Sequence, residues 1–358
     1  MSAQFHALKI SEVRRESADA VSIAFDVPEA DAGRFAFLPG QHLTLRADIN
    51  GEDVRRNYSV CVSPFDGEMR IAIKAISGGV FSNWANQSLK AGDTLEVMPP
   101  HGVFTLDFDP DNQAHYLGFA GGSGITPVLS LMKTALAVEP HSRFTLVYGN
   151  RDTNATIFLE EIQRLKNRYM GRLSLINILS DELDDIELFN GVLDEAKCTA
   201  LCEIIPDLTG IRAAFICGPG PMMDAAEKVL RDHGVSAECI LVERFTVDRP
   251  SGSLAAKLAV QSEKAAGTQM RVTLDGRTRM VTFDAKAGNI LDSARNGGLP
   301  APYACKAGVC ATCRAKLVSG TVEMAARFGL SESDIAKGYV LTCQSIPTSD
   351  DVAVDFDQ

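Results

Sequence analysis

The sequence has no excess of basic residues, no long hydrophobic run and no internal repeat. It contains 35 lysines and arginines but 46 aspartates and glutamates, and the formal net charge of −11 argues against nucleic acid as a partner. No apolar stretch approaches the ~20 residues that a membrane-spanning helix needs. The first ten residues also lack the apolar core of a secretion signal. We therefore expect a cytoplasmic protein without a membrane partner.

The cysteines do not suit a disulfide scaffold, because their number, nine, is odd. Four of them follow the pattern C-x4-C-x2-C with a distant fourth member, at Cys305, Cys310, Cys313 and Cys343. This pattern is the ligand set of a plant-type [2Fe–2S] cluster, which carries one electron at a time. Gly308 inside the loop would let backbone N–H groups approach the cluster sulfurs. The alternative is a structural zinc ion, although zinc usually takes two C-x2-C pairs.

The chain length of 358 residues suggests two or three domains, and the residue pattern changes along it. Residues 1–108 alternate like short strands between turn signals, which indicates an antiparallel β-barrel or sandwich. In 109–246 strands alternate with helices, which predicts a parallel α/β sheet. The Ala/Lys/Gln-rich stretch 247–268 has no strong period and indicates a flexible linker. In 269–358, Asp275-Gly276 between two alternating runs predicts a β-hairpin.

The first domain contains a possible flavin-binding strand. In the segment Arg56-Asn-Tyr58-Ser59, the guanidinium would pair with a pyrophosphate, the tyrosine would face the flavin ring, and Ser59 would hydrogen-bond near flavin N5. The alternative is an ordinary β-strand with an exposed arginine and a half-buried tyrosine.

A glycine-containing turn follows in the same domain. Gly78, Gly79 and Ser82 would cradle a phosphate at the start of a short helix, with Lys74 close by. The alternative is a plain Ser-Gly-Gly turn. We treat all four residues as candidate flavin ligands.

Two loops in the second domain are candidates for a nicotinamide dinucleotide. The run Gly-Gly-Ser-Gly-Ile-Thr-Pro leads from a strand into a helix, where the glycines would let a pyrophosphate approach the backbone. A Cys-Gly-Pro segment ends a later strand, and the cysteine suits contact with the nicotinamide ring. The candidate ligands are Gly122, Gly124, Thr126, Cys217, Gly218 and Pro219.

Four further residues bear on the choice of nucleotide and on the reacting edge, which is the flavin edge that would accept the hydride. Arg151 follows the second strand of this domain, where an arginine would bind the 2′-phosphate of NADPH. Asp152 beside it would instead favour NADH. At the end of the domain, Phe245 would cover the flavin face and Glu243 would lie near the reacting edge, unless both simply belong to a packed final strand.

The order of these motifs resembles that of the ferredoxin–NADP⁺ reductase superfamily with a fused plant-type ferredoxin. The segments Arg55–Cys61, Leu95–Gly102, Phe144–Arg151, Phe215–Pro219 and Glu243–Phe245 are similar to reductase components of phenylacetyl-CoA epoxidase complexes. The resemblance implies an FAD-binding β-barrel, a Rossmann-like α/β domain for NADP(H) and a β-grasp ferredoxin domain. It also implies NADPH as the donor and a di-iron epoxidase as the acceptor.

These expectations combine into one reaction path. A hydride would pass from the nicotinamide to FAD near Ser59, Cys217 and Glu243, and single electrons would leave through the cluster to a partner protein. The alternatives are a reductase for another oxygenase or redox acceptor, and an NADPH-binding regulatory protein with a zinc module. A further hypothesis is that Lys306, Arg314 and Lys316 make the cluster face basic and help it meet an acidic partner; the alternative is that they are scattered, solvated side chains.

Overall fold

The computed structural model describes residues 5–245 and 252–358. Its contacts divide the chain into two compact units. The larger unit comprises His6–Val54 and Tyr58–Arg244, and the smaller one consists mainly of the chain from Phe245 on. Among the described residues, no helix has the length and apolar character that a bilayer crossing requires.

The larger unit begins with a six-stranded sheet in the order β4-β3-β6-β1-β2-β5. Strand β1 pairs antiparallel with β2 and β6, and β2 with β5. Val60, just after β4, bridges to Ile71 of β5 and so closes the sheet into a barrel. A helix, α1, buries Phe81 and Ala85 against the barrel core. The elements are β1 (His6–Ser17), β2 (Ala20–Asp26), β3 (His42–Ile49), β4 (Glu52–Ser59), β5 (Met69–Lys74), α1 (Val80–Ser88) and β6 (Thr94–Val97).

A five-stranded parallel sheet with helices follows in the same unit, in the order β11-β10-β7-β8-β9. The chain starts in the middle strand, β7, and winds outwards in both directions. The switch point between β7 and β10 is where such sheets bind ligands. The elements are β7 (His115–Gly121), α2 (Ile125–Val138), β8 (Arg143–Asn150), α3 (Leu159–Arg168), β9 (Leu173–Leu179), α4 (Glu195–Ile204), β10 (Ala213–Cys217), α5 (Gly220–Asp232) and β11 (Ile240–Glu243).

The barrel and the parallel sheet are joined through helix α2. Ser130 Oγ donates to the carbonyl of Val62 at 2.6 Å, and Thr134 Oγ1 lies 3.0 Å from Ser63 Oγ. All four groups are buried, so these hydrogen bonds form in a low-dielectric interface. The first two predicted domains therefore pack as one compact unit.

The smaller unit has a mixed sheet in the order β13-β12-β18-β14-β16 and a separate pair, β15-β17. Asp275 and Gly276 have φ values of 52° and 69°, as the predicted hairpin turn requires. The parallel pairing of β12 with β18 and the packed helix α7 give a β-grasp arrangement. The elements are α6 (Gly252–Lys264), β12 (Gln269–Leu274), β13 (Arg277–Thr282), α7 (Ile290–Asn296), β14 (Arg314–Ser319), β15 (Val322–Met324), α8 (Glu332–Ala336), β16 (Tyr339–Leu341), β17 (Ser345–Pro347) and β18 (Ala353–Asp355).

The prediction of a flexible linker over 247–268 is wrong for most of its length, because 13 of its residues form helix α6. Alanine, lysine and glutamine are strong helix formers, and the weak apolar period hid this propensity. Ala265, just after the helix, is buried in the core of the smaller unit, and Leu258 packs against that core. Ser262 Oγ also donates to the carbonyl of Ala285 at 3.1 Å. Residues 247–251 of the predicted linker lie outside the described residues.

Candidate cofactor sites

The two glycine-containing loops of the α/β domain lie against each other at the switch point. A Cβ added to Gly124 would lie 2.1 Å from the carbonyl oxygen of Cys217, and one added to Gly218 would lie 2.9 Å from the backbone nitrogen of Gly121. Such distances are far below van der Waals contact, so only glycine permits this approach. The structure thus brings together two motifs that the sequence places about ninety residues apart.

A cavity of about 750 Å³ opens beside these loops. Lys74, Gly122, Asn150, Arg151 and Pro219 are among the residues in its wall. Its volume lies in the range of roughly 300–1,000 Å³ that is usual for cofactor sites. The buried amide oxygen of Asn150 has no hydrogen-bond partner among the described residues, and a polar ligand group would satisfy it. The cavity therefore fits a dinucleotide.

The charged groups at this cavity differ from the sequence expectation. Arg151 Nη2 lies 3.0 Å from Asp19 Oδ2, and Lys74 Nζ lies 3.7 Å from the same carboxylate oxygen. Lys74, expected beside the flavin, thus lies in the wall of the nucleotide cavity. The Asp152 carboxylate accepts a hydrogen bond from Ala155 N at 2.8 Å and caps a short 3₁₀ turn. Because the Asp152 carboxylate is used in this cap, its presence is weaker support for NADH as the coenzyme.

Several predicted ligands take part in local hydrogen bonds. Thr126 is buried, and its hydroxyl donates to the carbonyl of Ser123 at 3.0 Å, which stabilises the start of α2. Ser82 is also buried, and its oxygen accepts a long hydrogen bond of 3.4 Å from Ile76 N. A binding role for Thr126 and Ser82 stays a prediction, since these contacts also fit a purely structural role.

The turn before Ser82 has the backbone that its glycines predict. Gly78 adopts a φ of 71°, and Gly79 is the N-cap residue of α1. A Cβ on Gly79 would lie 2.3 Å from Ser82 Oγ. Both glycines are therefore needed for the turn itself, and their contact with a phosphate stays a prediction.

The candidate flavin strand ends in a buried serine. Ser59 is only 2% exposed, and its hydroxyl has no hydrogen-bond partner among the residues that the structure describes. A buried hydroxyl without a hydrogen bond is unfavourable unless a ligand supplies a hydrogen-bonding partner. Ser59 therefore fits contact with a flavin. Tyr58 is half-buried, with its ring 5.7 Å from that of Phe81, and Arg56 is exposed. Flavin binding by Arg56, Tyr58 and Ser59 stays a prediction.

Cys217 and Glu243 are neighbours on adjacent parallel strands, paired in register at the carboxyl ends of β10 and β11. Burial, and after it the Glu243 carboxylate, raises the pKa of the Cys217 thiol well above its usual value. The thiol is therefore uncharged, and its contact with a nicotinamide ring stays a prediction. Glu243 Oε1 lies 3.8 Å from His42 Nδ1, a neighbour that sequence reasoning missed because His42 is distant in the chain. Phe245 is 37% exposed.

The four clustered cysteines form two pairs. Hydrogen bonding between the two sulfurs raises the pKa of Cys305 and lowers that of Cys310. The same kind of contact raises the pKa of Cys313 and lowers that of Cys343. Within residues 5–245 and 252–358, no three His, Cys, Asp or Glu side chains converge as ligands of one metal ion would. Two pairs suit the two irons of a [2Fe–2S] cluster, with two thiolates each, better than a single zinc ion.

Backbone N–H groups surround these sulfurs. Ala307 N donates to Cys305 Sγ at 3.3 Å, and Gly308 N donates to the Cys343 sulfur. Gly308 has a φ of 76°, and a Cβ there would lie 2.9 Å from Cγ of Gln344. Donors aimed at sulfur stabilise its negative charge, which is the environment that an iron–sulfur cluster needs.

Two of the three basic side chains beside the cluster loop have acidic partners, whereas Lys316 Nζ donates to the carbonyl of Lys337. Lys306 Nζ lies 2.6 Å from Asp292 Oδ1, and Arg314 Nη1 lies 2.9 Å from Asp334 Oδ1. Each pair is nearly neutral as a unit, so Lys306 and Arg314 contribute little net positive charge to this face. Electrostatic docking through the three residues stays a prediction.

Three family models match successive parts of the chain. An oxidoreductase FAD-binding domain matches residues 7–106, an oxidoreductase NAD-binding domain matches 119–228, and a 2Fe-2S iron-sulfur cluster binding domain matches 272–348. Their order is the order in which the barrel, the parallel sheet and the β-grasp sheet occur.

Similar proteins span nearly the whole chain. A subunit of the 1,2-phenylacetyl-CoA epoxidase of Escherichia coli K12 is 43% identical over 353 residues, which cover 99% of this chain and 98% of that protein. A 3-ketosteroid-9-alpha-monooxygenase ferredoxin reductase component of Rhodococcus rhodochrous is 36% identical, covering 98% and 96%. The solved structure of phthalate dioxygenase reductase shares the fold, with a TM-score of 0.59, 23% identity and 98% coverage of each chain.

These findings define an NAD(P)H-dependent flavin iron–sulfur oxidoreductase of the ferredoxin reductase superfamily. More narrowly, the chain belongs to the family of oxygenase reductase components that includes this epoxidase subunit. Its cofactors are FAD, NAD(P)H and a [2Fe–2S] cluster, and its electrons go to an oxygenase partner. The predicted fold and cofactor classes are confirmed, and the zinc-module alternative is wrong.

Proposed function

We propose that this reductase delivers electrons to a di-iron oxygenase, the 1,2-phenylacetyl-CoA epoxidase of aerobic phenylacetate degradation. The observation that carries the proposal is the 43% identity, over 99% of the chain, to a subunit of that enzyme. The more distant relatives serve other oxygenases, so a different oxygenase is the second candidate acceptor.

The residues of this chain supply binding, orientation and electrostatic tuning. FAD, when bound, converts the two-electron chemistry of NAD(P)H into single electrons that a [2Fe–2S] cluster can accept. Ser59 offers a buried hydroxyl at the flavin, and Cys217 places a neutral sulfur beside Glu243. Around the cluster, the cysteine pairs and the N–H groups of Ala307 and Gly308 hold and stabilise the anionic sulfurs.

The acceptor is tested by reconstitution. The purified holoprotein is combined with NADPH, phenylacetyl-CoA and the purified oxygenase part of the epoxidase, and formation of the epoxide is measured. The same reductase is then given the oxygenase of a 3-ketosteroid system as a matched acceptor. We expect product only with the epoxidase; equal or better coupling to the steroid oxygenase would contradict the proposal.

We propose NADPH, rather than NADH, as the donor. The support is Arg151, whose guanidinium lies in the cavity wall after β8 while Asp152 is engaged in a cap. A 2′-phosphate would compete with Asp19 for this guanidinium and form a charge-assisted, bidentate pair.

The donor is tested with Arg151→Gln. Loss of a guanidinium–phosphate pair should raise KM for NADPH about tenfold or more and leave KM for NADH nearly unchanged. Arg164→Gln is the matched control, because Arg164 is exposed on α3 and pairs with Glu160 away from the cavity. An equal rise in KM for both coenzymes, or a preference of the wild-type protein for NADH, would show that Arg151 does not recognise the 2′-phosphate.

We also propose that the protein works in the cytoplasm. All nine cysteines are free of disulfides, which suits a reducing compartment. Cell fractionation with an antibody against the protein tests this, and recovery in a periplasmic or membrane fraction would contradict it.

A further inference from the structure

A buried tyrosine beside the nucleotide cavity connects two backbone segments. Tyr148 lies on β8, opposite Ala120 of β7, and its side chain is fully buried. Its hydroxyl oxygen lies 3.1 Å from the carbonyl oxygen of Gly122 and 3.2 Å from that of Ile157. Carbonyl oxygens can only accept, so the single hydroxyl proton is shared between these two acceptors. Tyr148 therefore joins the glycine loop before α2 to the segment before α3.

Both acceptors lie beside or at backbone turns with positive φ. Gly122 has a φ of 51°, which glycine adopts readily. Phe158 follows Ile157 directly, has a φ of 60° and is the N-cap residue of α3. A left-handed conformation is unfavourable for a bulky residue and persists only where the surrounding structure imposes it. The Tyr148 hydroxyl thus helps to fix the backbone of both turns.

The contact with Gly122 also sets the direction of the peptide between Gly122 and Ser123. The Gly122 oxygen accepts hydrogen bonds from the Tyr148 hydroxyl and from Ile125 N at the start of α2. In a trans peptide the next N–H points to the opposite side, so the N–H of Ser123 points away from Tyr148. Such N–H groups at the start of a helix bind pyrophosphate, whereas a carbonyl oxygen would repel it. The tyrosine thus keeps the carbonyl turned inwards.

The same hydroxyl is connected to the wall of the nucleotide cavity. Asn150 lines this cavity two residues after Tyr148, and its side chain hydrogen-bonds to the Tyr148 hydroxyl. The hydroxyl proton is directed at the carbonyls, so the amide nitrogen of Asn150 is the donor in this contact. The buried amide oxygen is then left without a partner among the described residues. Tyr148 therefore also holds the orientation in which this oxygen can receive a ligand group.

We propose that Tyr148 is a positioning residue for the pyridine nucleotide, because it holds the Gly122 peptide and the Asn150 amide in the arrangement that binds the coenzyme. The proposal rests on the NAD(P)H-dependent function above. It concerns NADPH and NADH alike, since both coenzymes carry the pyrophosphate that the backbone at Gly122 would meet. Tyr148 acts through these two neighbours and does not itself touch the coenzyme.

The proposal is tested by removing one oxygen atom. Tyr148→Phe keeps the ring and deletes the hydroxyl. Tyr116→Phe is the matched control, because Tyr116 is also fully buried and its hydroxyl donates to Glu139 at 2.9 Å. Tyr116 lies near the amino end of β7, away from the loops at the carboxyl ends. Calorimetry on the holoproteins measures the Kd of NADP⁺ and NAD⁺, ferricyanide reduction gives KM and kcat for NADPH, and Trp84 fluorescence follows urea unfolding.

We expect Tyr148→Phe to raise the Kd of both nucleotides and KM for NADPH about fivefold or more, with kcat within about twofold of wild type. Tyr116→Phe should unfold at a lower urea concentration than wild type but bind both nucleotides within about twofold of it. Unchanged Kd values in Tyr148→Phe would overturn the proposal. Equal rises in the two variants would also overturn it, because they would indicate a purely structural role. Absence of nucleotide binding in wild type would instead contradict the NAD(P)H-dependent function.

Two further variants separate positioning from folding. Tyr148→4-aminophenylalanine retains a donor at the same place and carries the test if Tyr148→Phe does not fold. We expect it to bind NADP⁺ within about twofold of wild type, and clearly weaker binding with a wild-type urea midpoint would overturn the proposal. Because Tyr148 acts through Gly122, adding Tyr148→Phe to Gly122→Ala should weaken binding less than the product of the two single effects. Single effects that multiply would show that Tyr148 does not act through this peptide.

Discussion

At the residue scale, some glycines of this protein are needed because a side chain would have no space, and not because of an unusual backbone conformation. Gly124 has an ordinary helical backbone, with φ of −62°. Its lack of a side chain matters because the backbone of Cys217 and Gly218 occupies the space where a Cβ would be. The nucleotide site is therefore built by close contact between two loops and not by one loop alone.

We expect Gly124→Ala to destabilise the larger unit by about 1–3 kcal/mol and to weaken NADP⁺ binding, because a methyl group cannot fit against backbone. Gly220→Ala is the matched control, since nothing lies within 4 Å of a Cβ there. Urea unfolding is followed by the fluorescence of Trp84, the single tryptophan, which lies in this unit. Equal stability of the two variants would contradict the packing argument.

A second prediction at this scale concerns pH. Burial, with Arg143 adding to it, lowers the pKa of His115 to about 4. The unfolded chain binds this proton near pH 6.5, so acidification below that value favours unfolding. Between pH 7 and 5 we expect His115 to cost about 2 kcal/mol of stability. His115→Gln should lose less stability over this range than wild type, whereas His141→Gln should follow wild type in urea unfolding.

At the element scale, helix α6 was predicted as a flexible linker because its sequence has no clear apolar period. Its exposed faces are rich in alanine and lysine, and only a few residues contact the core. Hydrogen bonds from Gln261 to Pro347 O and from Ser262 to Ala285 O add to that contact. The helix belongs to the smaller unit, so little of the predicted linker is left for a flexible connection.

We expect Leu258→Ala to destabilise the smaller unit by about 1 kcal/mol, because Leu258 is partly buried against its core. Val260→Ala is the control in the same helix, because Val260 is 55% exposed. Thermal loss of the visible cluster absorption measures the effect. If both variants lose the cluster at the wild-type temperature, α6 does not stabilise this unit.

At the scale of the whole molecule, the cofactor classes divide between the two compact units. The matched FAD and NAD domains fall mainly in the larger unit, and the matched iron–sulfur domain falls in the smaller one. Each unit has hydrophobic cores of its own. Damage to the cluster should therefore spare the flavin chemistry.

We expect the Cys310→Ser variant to lose the cluster absorption, because a hydroxyl is a poor substitute for a soft thiolate. The rate of electron transfer to the oxygenase should fall about tenfold or more. Flavin absorption and NADPH–ferricyanide activity should persist. Cys239→Ser is the control, since Cys239 lies outside the cluster loop. Loss of flavin together with the cluster would show that the two units do not fold independently.

Local patterns in the chain were sufficient to predict the three sheet types and the cofactor classes. They are the spacing of Cys305, Cys310, Cys313 and Cys343, the alternating strands, and glycine turns such as Asp275-Gly276. These patterns do not depend on tertiary contacts, because residue spacing and backbone preference act over a few residues.

Which distant groups meet became visible only in the folded chain. The pairing of Arg151 with Asp19 and the approach of His42 to Glu243 join segments that lie far apart in the sequence. No local pattern encodes them, because side-chain direction and strand order, not spacing, bring these atoms together. Residue patterns thus identified the cofactor classes, and the fold determined which charged and polar groups meet around the candidate sites.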